Sequence, residues 1–281
     1  MNSTAKELEI INLAGSHIFS NWLFDVSPDW QWNAPHLTHI RKHLARITDG
    51  RCKRLMIFLP PRHGKSEMTT VRYSAWRLEQ DPSQRVIVGA YSQTLADKFS
   101  RKIRKIAESR SVPIDPRRTA VDDWETDDGG GIRAAGVGAG VTGMGGNLIV
   151  IDDPIKNRQE ANSIVYRDKV WSWYTDDLYT RLEPGGAIIM IMTRWHEDDL
   201  AGRILESDDA PNWTVINLPA IAELDDALNR SPGEPLWPDR YDAAGLAAIK
   251  QAIGSRAFTA LYQQRPVEQE GGVFKRSWFT V

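Results

Sequence analysis

The segment that decides the fold is LPPRHGKS, residues 59–66. It follows the apolar run RLMIF, residues 54–58, and it precedes a segment that has helical periodicity. The order strand, short loop, Gly-Lys-Ser and helix is typical of a loop that binds nucleotide phosphates. Such a loop needs backbone N–H groups at a helix N-terminus, a lysine for the β- and γ-phosphates and a hydroxyl for magnesium. Gly64, Lys65 and Ser66 provide these groups in order.

The loop departs from the usual pattern at its start. Leu59 stands where the first glycine is usual, and Arg62 and His63 fall inside the loop. Because short motifs also occur by chance, the alternative is a Gly-Lys-Ser in an ordinary surface turn. If the motif is a phosphate loop, we expect the nucleotide to contact Arg62, His63, Gly64, Lys65, Ser66 and Glu67.

A second apolar run ends in two carboxylates. Residues 147–154 read NLIVIDDP, so a buried strand closes with Asp152 and Asp153. In an open α/β sheet, ligands bind at the C-terminal edge of the strands. At that edge Asp152 could hold magnesium together with Ser66, and Asp153 could orient and polarise an attacking water. The two strand ends therefore predict complementary halves of one magnesium–nucleotide site.

A third apolar run, residues 187–192, leads into Thr193 and Arg194. These residues also follow a strand at the presumed active edge, where they can sense the γ-phosphate or transmit its loss. The acidic residues 197–199 come next, in the first turn of a predicted helix. There the helix dipole favours negative charge, so we interpret them as structural.

The aromatic segment DWQWNAPH, residues 29–36, precedes the phosphate loop. An aromatic and amide-bearing segment in this place can pack on adenine and form hydrogen bonds with it. Gln31 and Trp32 are the candidates for this contact. The eleven tryptophans of the chain are otherwise scattered, and we interpret them as large packing residues rather than base-stacking ones.

Pro35 is predicted to open a helix over residues 37–47. His36, His39 and His43 fall on one face of it. No carboxylate or cysteine accompanies them at a suitable spacing, so we interpret them as ordinary core or surface histidines rather than zinc ligands.

The middle of the chain divides into a helix, a polar stretch and a glycine-rich stretch. A helix over residues 93–108, capped by Ser92, has an apolar stripe and a basic face that is either simply solvated or meets phosphates. Residues 110–128 are polar, and we expect a connection without a core. Residues 129–146 are glycine-rich, and we expect short strands joined by turns.

Composition limits the class of protein. A chain of 281 residues can form one large or two small domains, and a formal charge of −2 excludes binding of nucleic acid by bulk positive charge. The single cysteine, Cys52, cannot form an intrachain disulfide and fits a reducing compartment. No apolar run reaches the length of a membrane span, so we expect no membrane association.

We expect an α/β fold of the P-loop NTPase class (ASCE-type), with a mostly parallel central sheet flanked by helices and a small C-terminal helical lid or linker subdomain. The predicted division is 1–50 for N-terminal helices and the adenine-side segment, 51–220 for the ATPase core, 221–268 for the lid or linker subdomain, and 269–281 for a linker toward a further domain.

The motifs, in this order, resemble the ATPase domain of the large terminase subunit of tailed bacteriophages and prophages. The resemblance is carried by residues 32–36, 59–67 (LPPRHGKSE), 136–154, 193–200 (TRWHEDDL) and 262–266 (YQQRP). It implies hydrolysis of ATP with Mg²⁺ to move double-stranded DNA into a procapsid, in the cytoplasm of the infected host. It also implies a portal protein and a small terminase subunit as partners, and a homo-oligomeric ring on the portal.

The resemblance assigns roles to single residues. Arg62 matches an arginine common inside terminase phosphate loops, Asp152 the magnesium-associated aspartate, and Thr193 a motif that couples hydrolysis to movement. The catalytic carboxylate of the family is usually glutamate, whereas this chain has the shorter Asp153. Arg62 could act within the subunit, and Arg194, Arg133 or Arg101 could be presented by a neighbouring subunit. Relatives carry a C-terminal nuclease domain, but no acidic metal cluster for one occurs here, and we expect no nuclease activity.

Three alternatives stay open at this point. A helicase-like P-loop ATPase would share the site but should have a second motor domain. A nucleotide or small-molecule kinase would need an acceptor pocket and usually an arginine-rich lid. A nucleotide-gated scaffold would bind ATP without hydrolysing it.

Overall fold

The computed structural model describes residues 18–141 and 143–267. The part of the expected N-terminal helices before residue 18 and the expected linker 269–281 lie outside the described residues. The strands are β1 (Arg54–Phe58), β2 (Arg85–Ala90), β3 (Ile114–Thr119), β4 (Asp123–Thr126), β5 (Gly131–Gly136), β6 (Gly146–Asp152), β7 (Leu182–Met192) and β8 (Thr214–Asn217).

These strands form one eight-stranded sheet in the order β3-β4-β5-β2-β6-β7-β1-β8. Every neighbouring pair from β5 to β8 in this order is parallel, and β3 and β4 are antiparallel at one edge. The apolar runs of β1, β6 and β7 fit this position, because a parallel sheet is covered on both faces. The expected α/β fold with a mostly parallel sheet is confirmed.

The helices cover both faces of the sheet. They are α1 (residues 18–26), α2 (Pro35–Thr48), α3 (Ser66–Tyr73, π-wound, continuing as α-helical Ser74–Gln80), α4 (Gln93–Ser109), α5 (Arg158–Asn162), α6 (Ile164–Ser172), α7 (Leu200–Leu205), α8 (Ala243–Ile253) and α9 (Ser255–Leu261). None of the helices in the described part of the chain is long and apolar enough to cross a bilayer.

Alternation along β1 divides the core into two layers. Leu55 and Ile57 belong to the cluster that contains α2, α3 and α4, whereas Met56 and Phe58 belong to the cluster on the other face, with Trp173. Successive side chains of a strand point to opposite faces, so one short apolar run supplies both layers. The C-terminal ends of the parallel strands lie between these two layers, and the candidate site lies there.

The expectation of a coreless connection over residues 110–128 is wrong. This stretch forms β3 and β4, and Trp124 in β4 is fully buried, with its Nε1 donating to Ser100 Oγ at 3.0 Å. Alternation in β4 turns Trp124 and Thr126 inward while their neighbours stay partly exposed. One buried tryptophan therefore anchors a strand whose composition is otherwise polar.

The two C-terminal helices α8 and α9 lie within residues 221–268, for which a helical lid or linker is expected. Phe258 of α9 packs with Leu246 of α8 and with Ala220, in a small cluster apart from the two main layers. A separate lid subdomain over residues 221–268, like the other predicted domain boundaries, stays a prediction.

Candidate active site

The loop of residues 59–65 joins the end of β1 to the start of α3. Within it Arg62 has φ 64° and Gly64 has φ 87°. Both values lie in the left-handed region, which glycine adopts readily and which is strained for a side chain such as that of Arg62. Such strain is maintained where the surrounding structure imposes it, most often at functional sites.

The sheet order brings the three predicted strand ends together. β7 lies between β6 and β1, and the register pairs Phe58 with Met192 and Asp152 with Ile191. The loop of residues 59–65, the two aspartates and Thr193 consequently emerge at the same edge. This is the arrangement expected from the sequence.

Asp152 is buried at this edge and is held by two hydroxyl groups of α3. Ser66 Oγ donates to Oδ1 at 3.0 Å, and Thr70 Oγ1 donates to Oδ2 at 2.5 Å. Burial and the neighbouring Asp153 carboxylate raise the pKa of Asp152 well above its ordinary value. The contact with Ser66 joins the loop to the carboxylate strand. Sequence reasoning missed Thr70, whose signal is its position one helical turn beyond Ser66.

Asp153 has an unusual backbone and two well-defined carboxylate contacts. Its φ is 43°, and its N–H donates to Ile191 O at 2.9 Å. Oδ1 accepts from the backbone N–H of Thr193 at 2.7 Å, and Oδ2 lies 3.0 Å from Lys65 Nζ. The carboxylate is thereby fixed in the cleft, with part of its surface open to it.

Lys65 is buried, and its ammonium reaches across to the other strand ends. Besides Asp153, it contacts Thr193 Oγ1, to which it donates a hydrogen bond. Thr193 Oγ1 also lies 3.5 Å from Leu59 O. Thr193 therefore contacts Lys65 through its side chain and Asp153 through its backbone.

A cleft of about 500 Å³ opens above these groups. It is lined by Pro61, Arg62, Gly64, Lys65, Ser66, Glu67, Tyr91, Leu95, Lys98, Phe99, Lys102, Asp152, Asp153, Ile155, Lys156, Thr193 and Trp195. The cationic side chains outnumber the carboxylates in this lining, which favours an anionic ligand. Sequence reasoning had not assigned Tyr91 or Lys156 to the site.

Glu67 lies at the wall of the cleft, and each oxygen of its carboxylate pairs with a cationic side chain. Its carboxylate pairs with Arg72 at 2.7 Å and with Lys102. Burial opposes ionisation, but the hydrogen bonds from Lys102 and Arg72 prevail and lower the pKa of Glu67. The side chain therefore braces the first turn of α3 against α4.

Arg194 does not reach the cleft in this structure. Its Nε donates to Asp199 Oδ2 at 2.8 Å in a buried ion pair, and its guanidinium lies over the ring of Phe58, 5.0 Å from the centroid. Asp199 is also the N-cap of α7, where its side chain accepts from Gly202 N. This geometry gives Arg194 a structural role, and it offers no support for the expected contact with the γ-phosphate.

The upstream segment is also placed away from the cleft. Trp32 is fully buried, stacks on Trp30 with ring centroids 5.2 Å apart, and donates from Nε1 to Ser27 O at 3.0 Å. The guanidinium of Arg72 lies 4.9 Å from its ring centroid. Gln31 is exposed and is not part of the cleft lining. The adenine contact of Gln31 and Trp32 stays a prediction.

His63 is buried behind the loop rather than at the cleft. It packs near His36, whereas His39 and His43 form a separate ring pair with centroids 4.7 Å apart. The described residues contain no group of three or more histidine, cysteine or acidic side chains arranged to hold a metal ion.

Comparison with known proteins points to one family. The family model "Terminase large subunit, T4likevirus-type, N-terminal" matches residues 56–281. A search among curated proteins finds no match.

Solved structures share the fold at low sequence identity. The large terminase of bacteriophage HK97 has a TM-score of 0.52 and 14% identity over 80% of this chain, which spans 50% of that protein. The large terminase ATPase domain of Thermus phage P74-26 has a TM-score of 0.52 and 14% identity, with 87% of this chain and 97% of that domain covered. An arginine-to-alanine variant of that domain has a TM-score of 0.55 and 13% identity over the same shares. At these identities the likeness concerns the fold.

Proposed function

The chain belongs to the family of terminase large subunits, and on that basis we propose that it hydrolyses ATP to drive double-stranded DNA into a viral procapsid. The observation that supports this most is the meeting of Lys65, Ser66, Asp152, Asp153 and Thr193 at one sheet edge, beside a cationic cleft.

ATP would lie with its β- and γ-phosphates against the phosphate loop. The N-terminal end of α3 presents backbone N–H groups there, and Lys65 supplies a positive charge. A phosphate oxygen would compete with Asp153 for Lys65 Nζ, since that ammonium lies 3.0 Å from the carboxylate. Binding would in this way free the Asp153 carboxylate for its own role.

Ser66 and Asp152 fit a magnesium ion. They provide a hydroxyl and a carboxylate 3.0 Å apart, both lining the cleft, and such oxygen donors are the ligands that Mg²⁺ prefers. A magnesium ion held there would offset the negative charge of the β- and γ-phosphates. Thr70 would keep the Asp152 carboxylate turned toward Ser66 through its hydrogen bond to the other oxygen.

Asp153 is the residue that we assign to the attacking water. Its carboxylate, held by Thr193 N, would accept a hydrogen bond from the water and orient it in line with the γ-phosphorus. The water oxygen forms a bond to phosphorus while the bond from phosphorus to the β–γ bridging oxygen breaks. The products are ADP and inorganic phosphate, and the proton from water passes through the Asp153 carboxylate to solvent. Lys65 offsets the charge that gathers on the phosphoryl oxygens.

An arginine would add to this charge stabilisation. Arg62 is exposed on the loop and lines the cleft, so it is placed to act within the subunit. Arg133 is engaged by Asp122 and Asp123, and Arg101 is exposed on α4, where a neighbouring subunit could meet it. An arginine finger contributes about 10³- to 10⁵-fold in rate, so an isolated subunit should turn over slowly.

Thr193 would couple hydrolysis to movement, because it contacts both Lys65 and Asp153. Loss of the γ-phosphate would change both contacts and shift the segment after β7. Family membership further supports a portal protein and a small terminase subunit as partners, a ring of copies on the portal, and a place of action in the cytoplasm of the infected host.

The test is ATP hydrolysis by the purified chain, with and without double-stranded DNA. We expect slow hydrolysis that DNA stimulates and that Lys65→Ala abolishes, with Lys42→Ala, an exposed lysine on α2, as the matched control. Strand unwinding, phosphotransfer to a small acceptor, or full activity of Lys65→Ala would overturn the proposal.

A further inference from the structure

Two buried histidines lie directly behind the phosphate loop. His36 of α2 and His63 of the loop are both fully buried, and their ring centroids are 5.9 Å apart. The next residue of α2, Leu37, also reaches the loop, since a Cβ on Gly64 would lie 3.2 Å from Leu37 Cδ2. The start of α2 is therefore the surface on which the loop rests.

Within the described part of the chain, one hydrogen bond joins a side chain of α2, that of His36, to the loop backbone. His36 Nε2 lies 3.1 Å from the carbonyl oxygen of His63. A carbonyl only accepts, so Nε2 carries the proton and donates. The other ring nitrogen, Nδ1, is buried without a hydrogen-bond partner among the described residues. Within the described residues, the bond to the loop is thus the hydrogen bond that this imidazole makes.

The bond also determines where the next N–H points. In a trans peptide the C=O and the N–H lie in one plane and point in opposite directions. Because the His63 carbonyl points back at His36, the Gly64 N–H points away from α2. Gly64 lines the cleft, and its φ of 87° lies in the left-handed region that glycine adopts readily. An N–H so directed is the kind of group that binds a phosphate oxygen.

Aromatic rings close the other side of the pair. Trp237 lies 4.9 Å from the His36 ring, and Tyr241 stacks on His63 with centroids 5.0 Å apart and an interplanar angle of 21°. His63 Nδ1 donates to Pro61 O at 2.8 Å. Both imidazoles are consequently held in position. Burial keeps both neutral, because it lowers the pKa of His36 to about 3 and that of His63 to about 4.

We propose that His36 is a positioning residue for nucleotide binding, which acts through the His63 carbonyl to direct the Gly64 N–H toward the phosphates of ATP. This assignment rests on the proposed function, namely ATP binding at the loop. Nothing in the phosphate-loop pattern itself points to His36, because it lies 27 positions upstream of His63.

The experiment compares two substitutions that differ in whether they can donate. His36→Phe keeps a ring of similar size but cannot donate, whereas His36→Gln places an amide N–H near the position of Nε2. The matched control is His39→Phe, which makes the same change on the same helix at a half-buried site. The probe is ATP with magnesium, and the readouts are Kd, KM, kcat and the thermal unfolding midpoint.

We expect His36→Phe to raise Kd and KM about tenfold with kcat changed less than about twofold. The reason is that the hydrogen bond from the Gly64 N–H to a charged phosphate is lost in the ground state as well as in the transition state. His36→Gln should restore the affinity to within about threefold of the unsubstituted chain, and His39→Phe should leave it unchanged. Should His36→Phe fail to fold, His36→Met serves as the variant without a donor, because methionine adapts to irregular cavities.

Two outcomes would overturn the assignment. One is unchanged affinity in a folded donor-less variant, and the other is an equal loss in His36→Gln and His36→Phe, which would show a packing effect. Failure of the unsubstituted chain to bind magnesium–ATP, or equal binding by Lys65→Ala, would overturn the proposed function instead.

Discussion

Lys65 Nζ lies 3.0 Å from Asp153 Oδ2 at the floor of the cleft. The lysine comes from the loop after β1 and the aspartate from the end of β6, with β7 between them in the sheet. The pair therefore spans three neighbouring strands, and its carboxylate is also held by Thr193 N at 2.7 Å. A phosphate that binds the Lys65 ammonium would leave the Asp153 carboxylate charged, oriented and next to the phosphate.

The first prediction concerns the charge of Asp153. Asp153→Asn keeps an oxygen that can accept from Thr193 N but removes the negative charge, so binding should persist while hydrolysis is lost. We expect kcat for ATP to fall by at least about 10²-fold, as is typical when a general base is removed. Asp153→Glu, which restores the charge on a longer arm, should keep more activity than Asp153→Asn. Near-full turnover by Asp153→Asn would refute the assignment of the catalytic carboxylate.

The second prediction concerns Thr70, which donates to Asp152 Oδ2 at 2.5 Å. Thr70→Val has the same shape but leaves that buried oxygen without the bond, so we expect unfolding to become easier by about 1–3 kcal/mol. The magnesium concentration for half-maximal ATP hydrolysis should rise roughly tenfold or more, as for other residues that orient a metal ligand.

Thr69 provides the matched control for Thr70. It is fully buried next to Thr70, but its hydroxyl has no hydrogen-bond partner among the described residues. Thr69→Val should therefore leave the magnesium dependence unchanged and be neutral or stabilising in denaturant titrations. If the two valine variants behaved alike, Thr70 would have no special role in holding Asp152.

The parts of the fold that could be predicted are those written in local pattern. β1, the loop and α3 follow from an apolar run, a glycine–lysine–serine and helical periodicity, and β6 from an apolar run that ends in Asp152. The antiparallel edge could not be predicted in this way. Trp124 is one buried side chain in a polar stretch, and its burial depends on a long-range contact with Ser100 of α4.

The site shows the same limit at the level of single residues. Asp152 and Ser66 are recognisable because each ends or begins an element, whereas Thr70 matters only through a contact with a strand 82 residues later. The expectation that Arg194 contacts a phosphate does not take Asp199 into account as its partner. The structure pairs them, because both are removed from water and each compensates the charge of the other.

The third prediction concerns pH. Burial lowers the pKa of His36 to about 3 and that of His63 to about 4, against 6.5 in the unfolded chain. Between these values the unfolded chain binds more protons, so the stability from these groups is present above pH 6.5 and is lost as pH falls toward 4. Each should contribute a slope of about 1.4 kcal/mol per pH unit in that window.

Denaturant titrations from pH 7 to pH 4.5 would measure this slope. Residue 36 cannot titrate in the variant His36→Gln. Its free energy of unfolding should therefore fall less steeply with decreasing pH than that of the unsubstituted chain, by the slope of one histidine, about 1.4 kcal/mol per pH unit. Equal slopes for the two proteins would mean that His36 is protonated in the folded state.

The fourth prediction tests whether Arg194 serves as the buried ion-pair partner of Asp199 or is a candidate for contact with the γ-phosphate. Asp199→Asn preserves size and the capacity to cap α7, but it leaves the Arg194 guanidinium buried without its counter-charge. We expect a loss of unfolding free energy of about 3–5 kcal/mol, the usual cost of breaking a buried pair. Asp208→Asn, at an exposed position of the following turn, should stay within about 0.5 kcal/mol. If Asp199→Asn were as stable as the unsubstituted chain, the guanidinium would not depend on this pair, and Arg194 would again be a candidate for contact with the γ-phosphate.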